Sequence, residues 1–118
     1  MKLAMMVRLK NDLPLNRRPR SLSFGIEYRV LGISNESFRL LSDDDDPILY
    51  SMNLFEVIDP TEPDDWVSIF GESGERYARP RCFERSTWEK YHDYDPAARK
   101  LVWDYLATLG PCRIRRTD

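Results

Sequence analysis

The sequence predicts an α+β protein: a small antiparallel β-barrel of about five strands, with two or three C-terminal helices packed on it. Three observations lead there. Between residues 22 and 66, short runs rich in β-branched and aromatic residues alternate with Gly, Ser, Asn, Asp and Pro, the punctuation of closely spaced antiparallel strands. Beyond residue 86 the apolar residues recur at three- and four-residue steps, as an amphipathic helix requires. At 118 residues, 42% of them hydrophobic, the chain suffices for a single modest core and a single domain.

Residues 3–10 alternate weakly and end in Lys10-Asn11-Asp12, a turn signal, so they form a first strand. Residues 13–21 hold two prolines and three arginines without apolar period, which describes a long exposed loop. Gly25 allows the tight start of a second strand. Ile26, Tyr28 and Val30 share one face of it, with Leu31 and Ile33 on the other, so it is central or bent across a barrel. Asn35 suits a left-handed turn before a strand over residues 37–42. Asp43, Asp44, Asp45 and Asp46 repel one another and stay in water at a hairpin tip. Pro47 blocks helix, residues 48–50 resume the sheet, residues 51–53 make one helical turn, and residues 54–58 close the set. That order is the order of an SH3-like small barrel, over about residues 3–59.

The part from about residue 63 to 110 reads as helical. Pro63 suits the first position of a short helix, with Asp64 and Asp65 in its first turn and Trp66, Val67, Ile69 and Phe70 facing the barrel, until Gly71 stops it. Residues 72–75 form a turn and residues 76–81 an extended connection. Ser86 and Glu89 have capping-box spacing at the head of the next helix. The last helix starts at Asp95-Pro96, presents Ala98, Leu101, Val102, Tyr105, Leu106 and Leu109 on one face, and stops at Gly110-Pro111. Tyr28, Phe38, Phe55, Trp66 and Trp103 are assigned to the core; Tyr50, Tyr77 and Tyr91 suit either core or surface.

The net charge is −2, unevenly spread: +5 over residues 1–20, 0 over 21–33, −11 over 34–75 and +4 over 76–118. Such a layout suits a basic partner met through one acidic face. Cys82 and Cys112 lack metal-site spacing; they form either a disulfide or two reduced, mostly buried thiols, the second being favoured without a secretory signal. The early apolar run stops at Arg8 and no segment approaches a membrane span, so a cytoplasmic protein is expected.

Chemistry-bearing patterns are sparse. His92 is the single histidine, and no serine or cysteine can be assigned to it by spacing, so it reads as a surface or helix-end residue. The aspartate run lacks the alternating ligands, central glycine and terminal glutamate of a calcium loop. Gly71-Glu72-Ser73-Gly74 is too short for a phosphate cradle and no lysine follows it. No catalytic residue, metal site or cofactor is expected. Protein binding fits best, with Asp43, Asp44, Asp45, Asp46, Tyr50, Glu62, Asp64 and Tyr77 as candidate contacts. The alternative is nucleic-acid binding by Arg17, Arg18 and Arg20, joined by Arg113, Arg115 and Arg116 of a frayed tail.

Leu22-x-x-Gly25-x-x-Tyr28-x-Val30-Leu31-x-Ile33, Pro47-x-Leu49-Tyr50, residues 54–59 and Pro63-x-Asp65-Trp66-Val67 together resemble a group of small, mostly uncharacterised bacterial proteins. The likeness continues through Gly71-Glu72-x-Gly74-Glu75-Arg76-Tyr77-Ala78 and the Asp95-Pro96 helix, and so covers most of the chain. Such proteins include immunity proteins that occlude a toxin, so the resemblance implies a regulatory or immunity role. The arginine-rich loop departs from the short polar connection usual there.

Overall fold

Turn residues with left-handed backbone fix where the sheet folds back. The computed structural model describes residues 4–115. The strands are β1 (Met6–Leu9), β2 (Ile26–Ser34), β3 (Ser37–Leu41), β4 (Pro47–Ser51), β5 (Phe55–Asp59), β6 (Trp66–Phe70), β7 (Arg76–Pro80) and β8 (Arg113–Arg115). Two helices, α1 (Thr87–His92) and α2 (Pro96–Ala107), lie between β7 and β8. Asn35 at φ 54° makes the β2–β3 turn, Asp45 at φ 63° the β3–β4 turn, and Gly74 at φ 87° the β6–β7 turn.

All pairings are antiparallel, in the order β4-β3-β2-β1-β5. β7 and β8 add to further stretches of β2, and β6 adds to β7. The fold is therefore α+β with one antiparallel sheet. Among the described residues no ladder joins β4 to β5, so the sheet does not close.

The nine residues of β2 are shared by two half-sheets. Its first half pairs with β1 and β8, and its second with β3 and β7. A register shift between Val30 and Gly32 inserts a bulge, which exchanges the faces of the side chains beyond it. Ile26, Tyr28, Val30 and Ile33 consequently all enter one core, with Val7, Leu9, Phe38, Leu40 and Phe55. Leu31 enters a second core, with Leu41, Phe83, Tyr91, Val102 and Leu106 under the helices. The sequence reading put Ile33 with Leu31; the bulge is why it lies opposite.

Four further expectations are corrected. Residues 66–70 form a strand, because Trp-Val-Ser-Ile-Phe is rich in β-branched and aromatic residues and pairs with β7 across the tight turn at Gly71–Gly74, whose Gly74 N–H donates to Gly71 O at 3.1 Å. The C-terminal part is thus helical only from Thr87. Ser86 makes no side-chain cap; instead Thr87 Oγ1, buried in the turn, accepts from the Glu84 N–H at 2.8 Å. Trp103 is 40% exposed, because it rides on the outer side of α2 with its indole N–H donating to Tyr91 Oη at 3.0 Å. Arg113 and Arg115 sit in a strand paired with β2, whose hydrogen bonds anchor the expected frayed tail, while Arg116 lies outside the described residues.

At α2 the expectation holds. The Asp95 carboxylate accepts from the Ala98 N–H at 2.9 Å, Pro96 occupies the first turn, and Ala98, Val102 and Leu106 are buried. Cys82 and Cys112 are not joined in a disulfide; Cys82 is exposed and Cys112 half-buried. The exposure of Cys82 departs from the expected burial, since it lies in the turn that leads from β7 to α1. No described helix is long and apolar enough to cross a membrane.

Gly32 is fixed by close approach. A Cβ there would stand 2.8 Å from the Ala78 carbonyl oxygen of β7. Gly32→Ala is expected to destabilise the fold by roughly 1–3 kcal/mol through this overpacking, read as a lower urea midpoint. An unchanged midpoint would mean that β7 moves away from β2 at no cost.

Candidate functional site

Alternation along the strands decides what the second half-sheet shows to the helices. Phe38 and Leu40 of β3 enter the first core, so Arg39 faces the helical side along with Leu41. Leu49 is the cross-strand partner of Arg39 on β4. Tyr77 and Arg79 of β7 pair with Ile69 and Val67 of β6 and share that face. The helices cover only part of it. What remains open is a cleft of about 400 Å³, floored by Gly32, Ser34, Leu49, Ile69 and Tyr77 and walled by Arg85, Trp88, Glu89 and His92 of the α1 segment. The half-sheet adds Arg39 and Arg79.

The bulge and Gly32 lower the floor, since a side chain at Gly32 would fill it. Leu49, Ile69 and Tyr77 remain exposed there, Tyr77 by 42%; Ile69 and Tyr77 are cross-strand neighbours on β6 and β7, and Leu49 on β4 lies across β3 and β2 from them. The guanidinium of Arg39 is centred 4.5 Å over the Trp88 ring. Its Nη1 donates to the Pro47 carbonyl at 3.0 Å and stands 3.4 Å from His92 Nε2. Burial lowers the Arg39 pKa to about 10, so the group stays charged at neutral pH. Arg79 Nε donates to the Phe83 carbonyl at 3.0 Å, which holds β7 against the turn before α1. Among the described residues no carboxylate pairs with Arg39, Arg79 or Arg85. Glu89 is the single acid on the wall, so the cleft is cationic, aromatic and apolar together. Planar, resonance-stabilised guanidinium groups in such a setting match carboxylate or phosphate oxygens.

The residues proposed from the sequence are not gathered here, Tyr77 excepted. Asp43, Asp44, Asp45 and Asp46 occupy the β3–β4 turn, at the opposite end of β3 from the Ser34–Tyr77 pairing. Asp43 accepts from Tyr28 Oη at 2.8 Å and Ser23 Oγ at 2.7 Å. Asp45 pairs with Arg113 at 2.9 Å. Tyr50 is half-buried beside them, edge-on to Phe55 and 2.6 Å from Ser21 Oγ. Glu62 takes both Nη atoms of Arg76, which hold its carboxyl below the usual range. Asp64 is exposed, whereas its neighbour Asp65 accepts from Tyr105 Oη at 3.1 Å. The acidic segment is thus spread over two ends of the half-sheet, much of it in internal bonds.

Of the arginine loop, Arg17 donates to Asn53 Oδ1 at 2.7 Å, and Arg18 donates to the Leu13 carbonyl and lies over Phe24. Arg20 is exposed. His92 is exposed at the end of α1, as the sequence reading has it. Among the described residues no group of three or more His, Cys, Asp or Glu could hold a metal ion. The cleft residues Arg39, Arg79, Arg85 and Trp88 escape the sequence reading. A signal exists in the four arginines between residues 76 and 85, beside the aromatic Tyr77 and Trp88. No protein-family model, curated protein or solved structure matches the chain.

Three phenols gain stability from staying neutral. Burial pushes Tyr28 up to about 12, with the Asp43 carboxylate adding to it. Burial also raises Tyr50, joined by Asp43, Asp44 and Asp46, and raises Tyr105, joined by Asp65. A phenol raised in the fold ionises first in the unfolded chain, so this contribution is complete below pH 10 and lost as pH climbs towards 12. The urea midpoint is expected to fall across that window, less steeply in Tyr28→Phe; parallel curves for the two proteins would refute the assignment.

Proposed function

We propose that this chain is a non-enzymatic protein-binding module whose docking surface is the cleft between the second half-sheet and α1. One observation carries the reading: three arginines with no carboxylate partner among the described residues line one cleft with the exposed side chains of Leu49, Ile69 and Tyr77. Arg39 and Arg79 are partly removed from water, and guanidinium charges so placed are stabilised by an opposing oxyanion more strongly than exposed ones such as Arg85. The apolar side chains gain when a partner covers them. The partner chemistry that satisfies both is an acidic segment carrying apolar side chains.

The finer reading of the fold, an SH3-like barrel with C-terminal helices, belongs to the same proposal. Its support is the long bent β2, which wraps both half-sheets around one core. An immunity or regulatory role is its sharpest form, supported by the resemblance to small bacterial proteins.

A second docking surface for a basic partner has a specific observation behind it. Asp44 and Asp46 are exposed at the β3–β4 turn, and their carboxylates enter no ion pair among the described residues. Nucleic-acid binding through Arg17, Arg18 and Arg20 is the alternative, with Arg20 as its freest contact.

Immobilised protein and its variants separate these readings in a pull-down at low and moderate salt. Capture is expected to be lost with Arg85→Glu and with Tyr77→Ala, and to survive in the Asp44→Asn/Asp46→Asn double variant. The reverse pattern moves docking to the acidic turn, and recovery of no protein counts against both surfaces. A salt-dependent mobility shift with nucleic acid, abolished when Arg17, Arg18 and Arg20 become alanine, would replace the proposal with the alternative.

A further inference from the structure

β6 is an open edge beside this cleft, and its ladder shows which backbone groups are unused. Gly71 N–H donates to Glu75 O at 2.8 Å and Arg81 N–H to Asp65 O at 2.6 Å. In an antiparallel pair hydrogen-bonded positions recur every second residue, so Val67 and Ile69 spend their backbone groups on β7. Trp66, Ser68 and Phe70 aim theirs outward. The Trp66 N–H is taken by the Pro63 carbonyl at 3.3 Å. Among the described residues β6 pairs only with β7, leaving Ser68 and Phe70 with outward N–H and C=O groups.

Protected edges carry lysine, proline, an inward charge or a bulge. β6 carries none of these: its sequence is Trp-Val-Ser-Ile-Phe, its register with β7 is unbroken, and Phe70 is 66% exposed. Whatever adds to this edge continues the cleft floor, since Val67 and Ile69 face the same side as Tyr77 and Arg79.

We propose that the partner engages the protein as an extended acidic segment that adds a strand to β6, placing alternate side chains in the cleft. The inference rests on the cleft being the docking surface and names the mode and the chemistry of its occupant. Strand addition supplies affinity through the main-chain bonds of Ser68 and Phe70, while the cleft reads the side chains. Arg79 sits two strand spacings, roughly 10 Å, from the added strand, a gap that an arginine and a glutamate side chain close together. Arg39 and Arg85 lie further into the same cleft. Within the cleft, charge selects acidic over basic side chains, because among its lining residues Glu89 alone opposes three arginines, while the exposed Asp64 and Glu72 lie outside it at the two ends of β6.

The test uses a fluorescent decapeptide of alternating Glu and Val, its Lys–Val twin, and anisotropy titrations with the full chain. The Glu–Val peptide is expected to bind and the Lys–Val peptide to fail. Ser68→Pro removes the outward N–H, which an edge strand tolerates, together with the Oγ that accepts from Arg76 and that Ser68→Ala removes as well, and is expected to weaken binding roughly tenfold or more. Ser68→Ala keeps that N–H and should bind as the parent does. Arg85→Glu, at an exposed position, should weaken binding to a similar extent. In the unaltered protein, saturating peptide should slow hydrogen exchange at the Ser68 and Phe70 amides, a readout independent of any variant's folding. Binding that is sensitive to Arg85→Glu but leaves those two amides unprotected overturns strand addition and leaves the cleft as docking surface. Equal binding of the two peptides overturns the acidic preference of the cleft, and no binding of the Glu–Val peptide or indifference to both variants overturns strand addition and that preference together.

Discussion

One strand carries the architecture. β2 pairs with β1, β3, β7 and β8, and its bulge after Val30 lets a single run of backbone feed two cores on opposite faces. Without the shift, Ile33 would point at the helices and the first core would lose its contribution. With it, the second half-sheet bends, Gly32 comes against the Ala78 carbonyl, and a hollow opens on the helical side. The cleft is thus a consequence of how β2 changes faces, and its floor is set by a position where a side chain has no room.

The charge distribution becomes intelligible once internal bonds are subtracted. Asp43, Asp45, Glu62 and Asp65 answer Tyr28, Arg113, Arg76 and Tyr105, and so help fix the β3–β4 turn, the β5–β6 connection and the contact of α2 with the sheet. The two ion pairs, Asp45–Arg113 and Glu62–Arg76, contribute little stability each, but with the two phenol hydrogen bonds they use up much of the acid that the linear map concentrates in residues 34–75. Among the described residues the arginines around the cleft have no such answer. Arg39 is steadied by Trp88 and the Pro47 carbonyl, contacts that orient a guanidinium without neutralising it. Unbalanced positive charge therefore gathers at the cleft, while the exposed Asp44, Asp46 and Asp64 enter no ion pair among the described residues and the chain as a whole is slightly acidic.

Much of the strand pattern could be read directly. Asn35, the aspartate run, Pro47 and the helical turn before β5 mark local backbone choices, and local choices are what residue types encode. Asp95 and Pro96 fix the start of α2 for the same reason. The reading of residues 63–70 shows its limit. Pro63 and two aspartates make an acceptable helix start, yet Trp-Val-Ser-Ile-Phe gains more from pairing with β7, and that partner lies beyond a turn. Trp103 shows another limit: helical spacing places it beside apolar neighbours, but only the position of α1 decides that its ring stays half in water.

By itself the sequence determined the class of fold, most of the turns, the last helix and the sparseness of catalytic groups, because each follows from short-range propensity or from composition. Only the tertiary structure decided which side of β2 each residue takes, which acids are occupied by internal partners, and that Arg39, Arg79 and Arg85 line one cleft with Leu49, Ile69 and Tyr77. These depend on long-range register and on one bulge. A one-residue shift there moves every later side chain to the other face, and no local pattern in the chain records it.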